Sequence, residues 1–385
     1  MTMYEPDFLN ANHVCVPRFI EEVGAAEMFF GGQAGVALAK GIPIQWCFCT
    51  PMLLMWTLNA PAVTNFRVSY DFYYGGSWDI GRSSLIVWAM GKAPSKDTFW
   101  STDNGAQATT RGGCDRTGCP HDHSTPAAVL HTMLTVLSAG PVQFSDAPNE
   151  TDKTLLMRTC DSAGNLLQPS KPLTAIDSTH DVTPGGAPTG YAMVTHTEVQ
   201  GGVWLREVVS HQMTKDFALR ALDVFPPLKP GNRYAVSTWT AVNACATASG
   251  ACDSGAVLTA PADGRAVVGT LPKAVVQNTT APFTDVFSPT LTLMAPVCVT
   301  TGLALWGEFA KFATISIQRF TSISCSPAGV AFGIAGNVGE EVGIAWTDTA
   351  AATTASGSYT FTGPANGRGS AQCEVSATGL ACAAS

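Results

Sequence analysis

The stretch Ala62-Val63-Thr64-Asn65-Phe66-Arg67-Val68-Ser69-Tyr70-Asp71-Phe72 reads as a strand over Ala62 to Ser69 that leads into a carboxylate, Asp71. Around it, short apolar runs alternate with helical stretches. A strand at Met3 to Leu9 is followed by a helix over Ala25 to Lys40 carrying Met28, Phe29, Ala34, Val36, Ala37 and Leu38. Ile42 to Phe48 is a further β-rich run after Gly41, and Ser83 to Met90 reads as a buried helix ending at Gly91. Thr125 to Ser138 opens on Thr-Pro, a favourable helix entry. It spaces Val129, Leu130, Met133, Leu134 and Leu137 as a helix face does. Gly140 stops it, and Pro141 to Ser145 is a short strand. Strands that alternate with helices predict parallel βα units.

Beyond Thr183 the helical pattern ends. Strand candidates follow one another between Gly/Pro-rich turns: Tyr191 to Thr197, Val203 to Ser210, Phe217 to Val224, Tyr234 to Ala241, Ala266 to Leu271 and Leu291 to Val299. Ile315 to Ser324, Val330 to Ile334, Val342 to Trp346 and Tyr359 to Phe361 continue the series. Small Thr, Ala, Val and Gly residues dominate, which suits an antiparallel β-sandwich. The linker is expected within Asp177 to Gly190, which contains Thr-Pro-Gly-Gly-Ala-Pro-Thr-Gly. The expected organisation is therefore two units, residues 1–180 and 181–385.

Composition narrows the function classes. With 46% hydrophobic and 13% charged residues, the chain offsets its ordering entropy and is not expected to be disordered. Only 21 Lys and Arg are present, unclustered, against 29 Asp and Glu, so nucleic acid is not an expected partner. The most apolar run, Ile44 to Leu58, is broken by Gln45, Thr50 and Pro51 and falls short of the roughly 20 residues of a membrane span. Twelve cysteines and two glycosylation sequons, at Asn149 and Asn278, point to a secreted or endomembrane-lumen protein. Met1 to Asp7, with two carboxylates and no apolar core, is not expected to be a signal peptide.

In a barrel of parallel strands, polar side chains at the strand C-termini form the active face. Asp71 has such a position after its strand, and Asp7, in Tyr4-Glu5-Pro6-Asp7-Phe8-Leu9, has another. Paired carboxylates are what glycoside cleavage needs, one to attack the anomeric carbon or activate water and one to protonate the leaving oxygen. Other schemes lack their residues. No Gly-x-Ser-x-Gly elbow is present, and Phe30-Gly31-Gly32-Gln33-Ala34-Gly35 lacks the Lys-Ser/Thr ending of a phosphate loop.

Several segments, taken in order, resemble the clan of α-retaining glycoside hydrolases that includes α-galactosidases and the raffinose-synthase/seed-imbibition proteins. Tyr4-Glu5-Pro6-Asp7-Phe8 is similar to the fourth-strand motif whose Asp is the nucleophile, and Arg67-Val68-Ser69-Tyr70-Asp71-Phe72 to the sixth-strand Arg-Ala-Ser-Asp-Asp-Phe whose last Asp is the acid/base. Pro94-Ser95-Lys96-Asp97-Thr98-Phe99-Trp100-Ser101 resembles the following Pro-x-x-Asp-x-Phe-x-Ser segment. Ser138-Ala139-Gly140-Pro141-Val142-Gln143-Phe144-Ser145-Asp146 resembles the eighth-strand Gly-Gly-Pro-Ile-x-x-Ser-Asp, and Asp161 to Leu167 echoes the turn after it.

The resemblance implies a partial (β/α)8 TIM barrel, from about the fourth strand onward, followed by the β-sandwich. It implies Asp7 as nucleophile and Asp71 as general acid/base, acting on an oligosaccharide or α-glycoside with no cofactor. Arg67 is expected to bind sugar hydroxyls or hold a carboxylate, with Asp97 and Asp146 in loops around the site. Trp46, Trp78 and Trp100 are candidates for stacking on sugar faces, and Cys49, in Cys47-Phe48-Cys49, is a candidate pocket residue. A non-catalytic carbohydrate-binding or structural remnant of such a hydrolase is the alternative. Two departures stand out: the acidic neighbour of the acid/base is Tyr70, and Glu5 occupies the place of a basic residue before the nucleophile. A negative charge there weakens recognition of sugar hydroxyls or selects a different substrate.

Cys114-Asp115-Arg116-Thr117-Gly118-Cys119-Pro120-His121-Asp122-His123 has zinc-ligand residue types, but the spacing is too compressed for a structural finger. A small Cys114–Cys119 disulfide loop is the other reading. Cys245 and Cys252 read the same way, and Cys373 and Cys382 flank a final hairpin.

Overall fold

The computed structural model describes residues 3–69, 80–101, 128–179, 190–240, 256–273, 289–364 and 367–385. Its N-terminal part is built on three parallel strands in sequence order, β1 (Ile44–Trp46), β2 (Val63–Arg67) and β3 (Ala93–Ser95). The segment around Tyr4 extends this sheet beside β1 through a parallel bridge to Ile44. The ladder runs on from there: Tyr4 N donates to Pro43 O, Gln45 N to Tyr4 O and Cys47 N to Pro6 O. Pro6 has no N–H to give back, so the pairing is one-sided at that residue. On the other flank Phe99 and Phe144 form a second parallel bridge.

The expected strand at Met3 to Leu9 is therefore shorter than read. Phe8 adopts a left-handed backbone (φ 53°), which turns the chain out of the sheet, and a helix starts at Leu9 (Leu9–Val14). Helices Ala25–Ala39, Gly81–Ala89 and Ala128–Leu137 appear where the sequence places them. Pro51–Trp56, a short helix the reading omits, opens with Thr50 Oγ1 accepting from Leu53 N and proline at its first turn. One face of the sheet is apolar. Ile44, Trp46, Val63 and Phe66 pack with Ala26, Phe30 and Ala34 of the Ala25–Ala39 helix.

A close approach fixes the exit of the Ala128–Leu137 helix. A Cβ at Gly140 would overlap the carbonyl oxygen of Pro94 and crowd Ser95. Gly140→Ala is expected to cost about 1–3 kcal/mol, as overpacking against rigid backbone does, and a thermal denaturation series measures it.

The rest of the described chain is antiparallel. A six-stranded sheet has the order β4 (Thr174–Ala175), β5 (Tyr191–Val199), β6 (Gly202–His211), β11 (Thr290–Pro296), β8 (Arg233–Thr240), β9 (Ala256–Thr259). Its first strand lies ahead of residue 180. β7 (Phe217–Arg220) and β10 (Val267–Leu271) form a ribbon beside it. A three-stranded sheet, β12 (Leu303–Gly307), β15 (Glu341–Asp348) and β16 (Thr353–Thr360), follows, with a four-stranded one of β13 (Phe320–Cys325), β14 (Gly329–Asn337), β17 (Arg368–Ser376) and β18 (Gly379–Ala384). Leu205, Val209 and Leu293 of the large sheet share one core with Trp306, Ile334, Ile344 and Val375 of the smaller ones. Leu130, Met133, Leu134 and Leu137 enter the same core, so the helix Ala128–Leu137 packs with the antiparallel β-structure.

The Cys373 and Cys382 pair is a disulfide across β17 and β18, at directly opposed residues. Cys298–Cys325, which the sequence does not announce, is a second. Cys47 and Cys49 are free thiols. The Cys114–His123 segment and the Cys245 and Cys252 pair lie outside the described residues. Among the described residues, no helix is long and apolar enough to cross a membrane.

Candidate active site

Strand register decides which side chains meet. Tyr4 bridges Ile44, Gln45 pairs with Asn65, Trp46 with Phe66, and Arg67 with Ser95. Successive side chains alternate between the two faces of a sheet. Glu5, Gln45 and Asn65 therefore lie on the face opposite the helices. One step towards the strand C-termini, Asp7, Cys47, Arg67 and Ser95 form the next row. Ile44, Trp46 and Phe66 face the other way, into the helix-covered core.

The row of Glu5, Gln45 and Asn65 is a continuous hydrogen-bonded relay that ends on Ser95 of the next row. Gln45 Nε2 donates to Glu5 Oε1 at 2.7 Å, and Gln45 Oε1 accepts from Asn65 Nδ2. Asn65 Nδ2 also lies 3.5 Å from Ser95 Oγ, whose hydroxyl donates to Phe66 O at 3.0 Å. Gln45, Asn65 and Ser95 are buried, so each amide and hydroxyl needs the partner that the next strand supplies. Gln143 Nε2, beside the Phe99–Phe144 bridge, reaches Gln45 Oε1 at 3.5 Å. These residues belong to strands separated by several strand spacings of about 4.8 Å, a gap a flat sheet would keep open. The sheet is strongly curved, with its polar face inside.

In the upper row the Cys47 thiol is beside the Asp7 carboxylate. Burial, then Asp7 itself, pushes that thiol well above its ordinary range, so it stays an S–H donor. Asp7 is exposed, and its Oδ1 also accepts from Phe8 N at 2.6 Å. Arg67 Nη1 stands 3.5 Å from Asp97 Oδ1, and Arg67 Nε donates to Ser69 O at 3.1 Å. Ser69 Oγ in turn accepts from Asp97 N at 2.8 Å. The guanidinium lies 4.0 Å over the ring of Phe48, which stacks on Phe8 at 5.6 Å. Phe8 and Phe48 both have left-handed backbones, at φ 53° and 48°. Bulky residues rarely adopt that conformation, and such strain gathers where surrounding structure holds a functional geometry. Here the two residues directly follow Asp7 and Cys47 and support Arg67 from below.

Of the residues singled out from sequence, Asp7, Arg67 and Asp97 come together at this strand end. Asp71 and Trp78 lie outside the described residues. Trp46 belongs elsewhere: it is 1% exposed, its ring set against Phe30 and Phe66 at 5.8 and 6.0 Å. Strand parity turns it to the helices, which rules out sugar stacking beside Asp7. Cys49 packs with the same helix-side core and donates to Thr50 O at 3.3 Å, so Cys47 is the cysteine of the polar row. Asp146 braces a loop, accepting from Ser101 N at 2.8 Å and Ser101 Oγ at 2.6 Å. Trp100, half-buried, is next to that serine. Sequence reasoning missed Gln45, Asn65 and Cys47 as a group. Their signal was available: polar residues at every second position of otherwise apolar strands.

Lys96 lies between Ser95 and Asp97 and is fully buried. Burial, against the pull of Asp97, lowers its amine to about 7. His131 of the Ala128–Leu137 helix is buried too, and burial and then Lys96 hold it well below the usual histidine range. No protein-family model matches the chain, and no curated protein matches it closely enough to be counted a relative.

Proposed function

We infer that the chain is a glycoside hydrolase acting on α-linked sugars, α-galactosidase-like and retaining. Residues 1–180 would form the C-terminal part of a (β/α)8 barrel, and residues 181–385 its β-sandwich. The observation that carries this reading is the row Asp7, Cys47 and Arg67 at the C-terminal ends of adjacent parallel strands, on the concave polar face. Parallel barrels place their chemistry at that end. The curvature that brings Gln143 to Gln45 supports a barrel wall rather than an open sheet.

In this mechanism Asp7 attacks the anomeric carbon while Asp71 protonates the departing glycosidic oxygen. Asp71 then takes a proton from water as the water displaces Asp7, and a sugar hydroxyl in place of water gives transfer. Arg67, fixed by Phe48, Asp97 and Ser69 O, stands at the rim of the polar row, where its guanidinium would face the sugar. The Phe8 N–H, at 2.6 Å from Oδ1, orients the Asp7 carboxylate. The two disulfides among the described residues suit an oxidising compartment.

The test is covalent. A slow-turnover fluorinated α-galactosyl fluoride is expected to label the peptide containing Asp7. Asp71→Asn is expected to lose turnover of an aryl α-galactoside while keeping the native circular dichroism spectrum. Undiminished turnover by Asp71→Asn, or a label on another peptide, would overturn the assignment. Sugar binding without turnover would instead mark a carbohydrate-binding remnant.

A further inference from the structure

We propose that the chain holds a second ligand site, separate from the polar row, for a small neutral aromatic molecule that carries a hydrogen-bond acceptor, with Trp46 Nε1 as its donor. The site is a cavity of about 390 Å³ bounded by the Ala25–Ala39 helix, the end of the Pro51–Trp56 helix and the last residue of β1. That volume is within the usual range of small-molecule pockets. The cavity lies on the helix-covered side of the sheet, where strand parity sends Trp46. The inference is therefore independent of the glycosidase reading.

Three features select the ligand. Met28, Phe30, Trp46 and Trp56 give the cavity apolar, mostly aromatic walls. Trp46 is buried, and among the described residues its Nε1–H has no acceptor. A buried donor left unsatisfied carries a desolvation penalty, which an acceptor on the bound molecule removes. Glycine supplies a further part of the wall. Gly31 and Gly32 lie inside the Ala25–Ala39 helix, where glycine is destabilising. Close packing does not require them, because a Cβ at either would meet nothing within 4 Å. Their bare backbone keeps space open beside the aromatic side chains and lets a flat ring lie against it. The Phe30-Gly31-Gly32 run, which lacks the residues of a phosphate loop, thus has a use of another kind. Among the described residues that line the cavity, Glu27 is the one that is charged, so an anion finds no counter-charge there. The acceptor is accordingly a neutral oxygen or ring nitrogen, not a carboxylate or phosphate.

Calorimetric titration of the full chain at neutral pH compares three probes. Quinoline carries a ring-nitrogen acceptor, naphthalene has the same shape without one, and 2-naphthoate adds a negative charge. Trp46→Phe keeps an apolar ring and removes the donor. It is expected to weaken quinoline binding on the order of fivefold to a hundredfold, the range for satisfying a buried donor, and naphthalene binding far less. Comparing the two rings in the two proteins isolates the hydrogen bond from the loss of ring area. Naphthoate is expected to bind more weakly than quinoline. Gly31→Leu places a side chain in the cavity and is expected to abolish binding of quinoline and naphthalene alike. Leucine favours the helix over glycine, so the same variant is expected to unfold at a higher temperature, which separates a filled cavity from a misfolded chain. Undetectable quinoline binding up to its solubility, or an equal loss of both rings in Trp46→Phe, overturns the proposal. So does quinoline binding that survives Gly31→Leu, or naphthoate binding as tight as that of quinoline.

Discussion

Replacing Arg319 by methionine is expected to destabilise the protein by about 3–5 kcal/mol, the usual consequence of stripping a buried carboxylate of its partner. Arg319 is 1% exposed, and its planar fork spans two acids. Nε donates to Glu308 Oε2 at 3.1 Å, while Nη2 and Nη1 donate to the two oxygens of Glu340 at 2.6 and 3.1 Å. The Ala335 carbonyl takes the other Nη1 proton at 3.0 Å. Glu340 is tied in further by Ser162 N and Asn337 N, at 3.1 and 3.0 Å. Lys311, 3.8 Å from Glu308, donates to the carbonyls of Met157 and Cys160. The network thereby fastens the segment 157–162, downstream of the parallel strands, to the β13–β15 region.

The fork is what matters. Lysine presents a point charge and cannot span both acids, so Arg319→Lys is expected to recover only part of the loss. Pairing Arg319→Met with Glu340→Gln removes one of the two carboxylate charges that lose Arg319 and is expected to regain some stability relative to Arg319→Met alone. Urea unfolding midpoints check the series. A loss below about 1 kcal/mol for Arg319→Met would show the network to be dispensable, within the range of exposed pairs.

Glu207→Gln is expected to act in the opposite direction, and only above mildly acidic pH. Glu207 lies on β6 between Leu205 and Val209, on the face that enters the main core, and neither carboxylate oxygen has a hydrogen-bond partner. Burial raises its carboxyl to about 8. In the unfolded chain the same group titrates near the ordinary glutamate value. Below that value both states are protonated and folding incurs no penalty. Between about 4.5 and 8 the unfolded state ionises and the folded state does not, so stability falls by roughly 1.4 kcal/mol per pH unit. At pH 7 the accumulated cost is roughly 3 kcal/mol.

Glutamine cannot ionise, so the variant is expected to exceed the natural protein by that amount at pH 7 and to match it near pH 4. Buried His211, lowered to about 3, and His131 act the other way: their contribution is lost as pH falls below about 6.5. Both proteins share that limb, so the difference between their unfolding curves isolates Glu207. A difference independent of pH between 4.5 and 8 would refute the buried-acid account.

Much of the secondary structure is legible because its signals are local. Gly41, Gly91 and Gly140 bound helices and strands where the sequence places them, and the final hairpin follows from Cys373 and Cys382. Errors fall where a side chain's destination overrides propensity. The run Ile315 to Ser324 was expected to be a strand throughout, yet β13 begins only at Phe320, because Arg319 at its start is drawn inward to Glu308 and Glu340. Phe217 to Val224 ends as a strand at Arg220, where Asp223 caps a turn by accepting from Arg220 N at 2.8 Å. β12 reads Leu303-Ala304-Leu305-Trp306-Gly307, buried at every position, and offers no alternation to detect.

The amino-acid sequence by itself determined the alternation of strand and helix in the first half, the run of antiparallel strands in the second, and the parity of each strand. Parity is a property of neighbouring residues, so Glu5 and Asp7, or Gln45 and Cys47, share a face in any fold that keeps those strands. Which face turns inward, and which residue of one strand stands beside which of the next, depends on contacts between distant segments. Only the tertiary structure could send Trp46 to the helices and Cys47 to Asp7, bring Gln143 round to Gln45, or leave Glu207 without a partner. Register and curvature are set by how whole faces pack, and no local window of sequence contains that information.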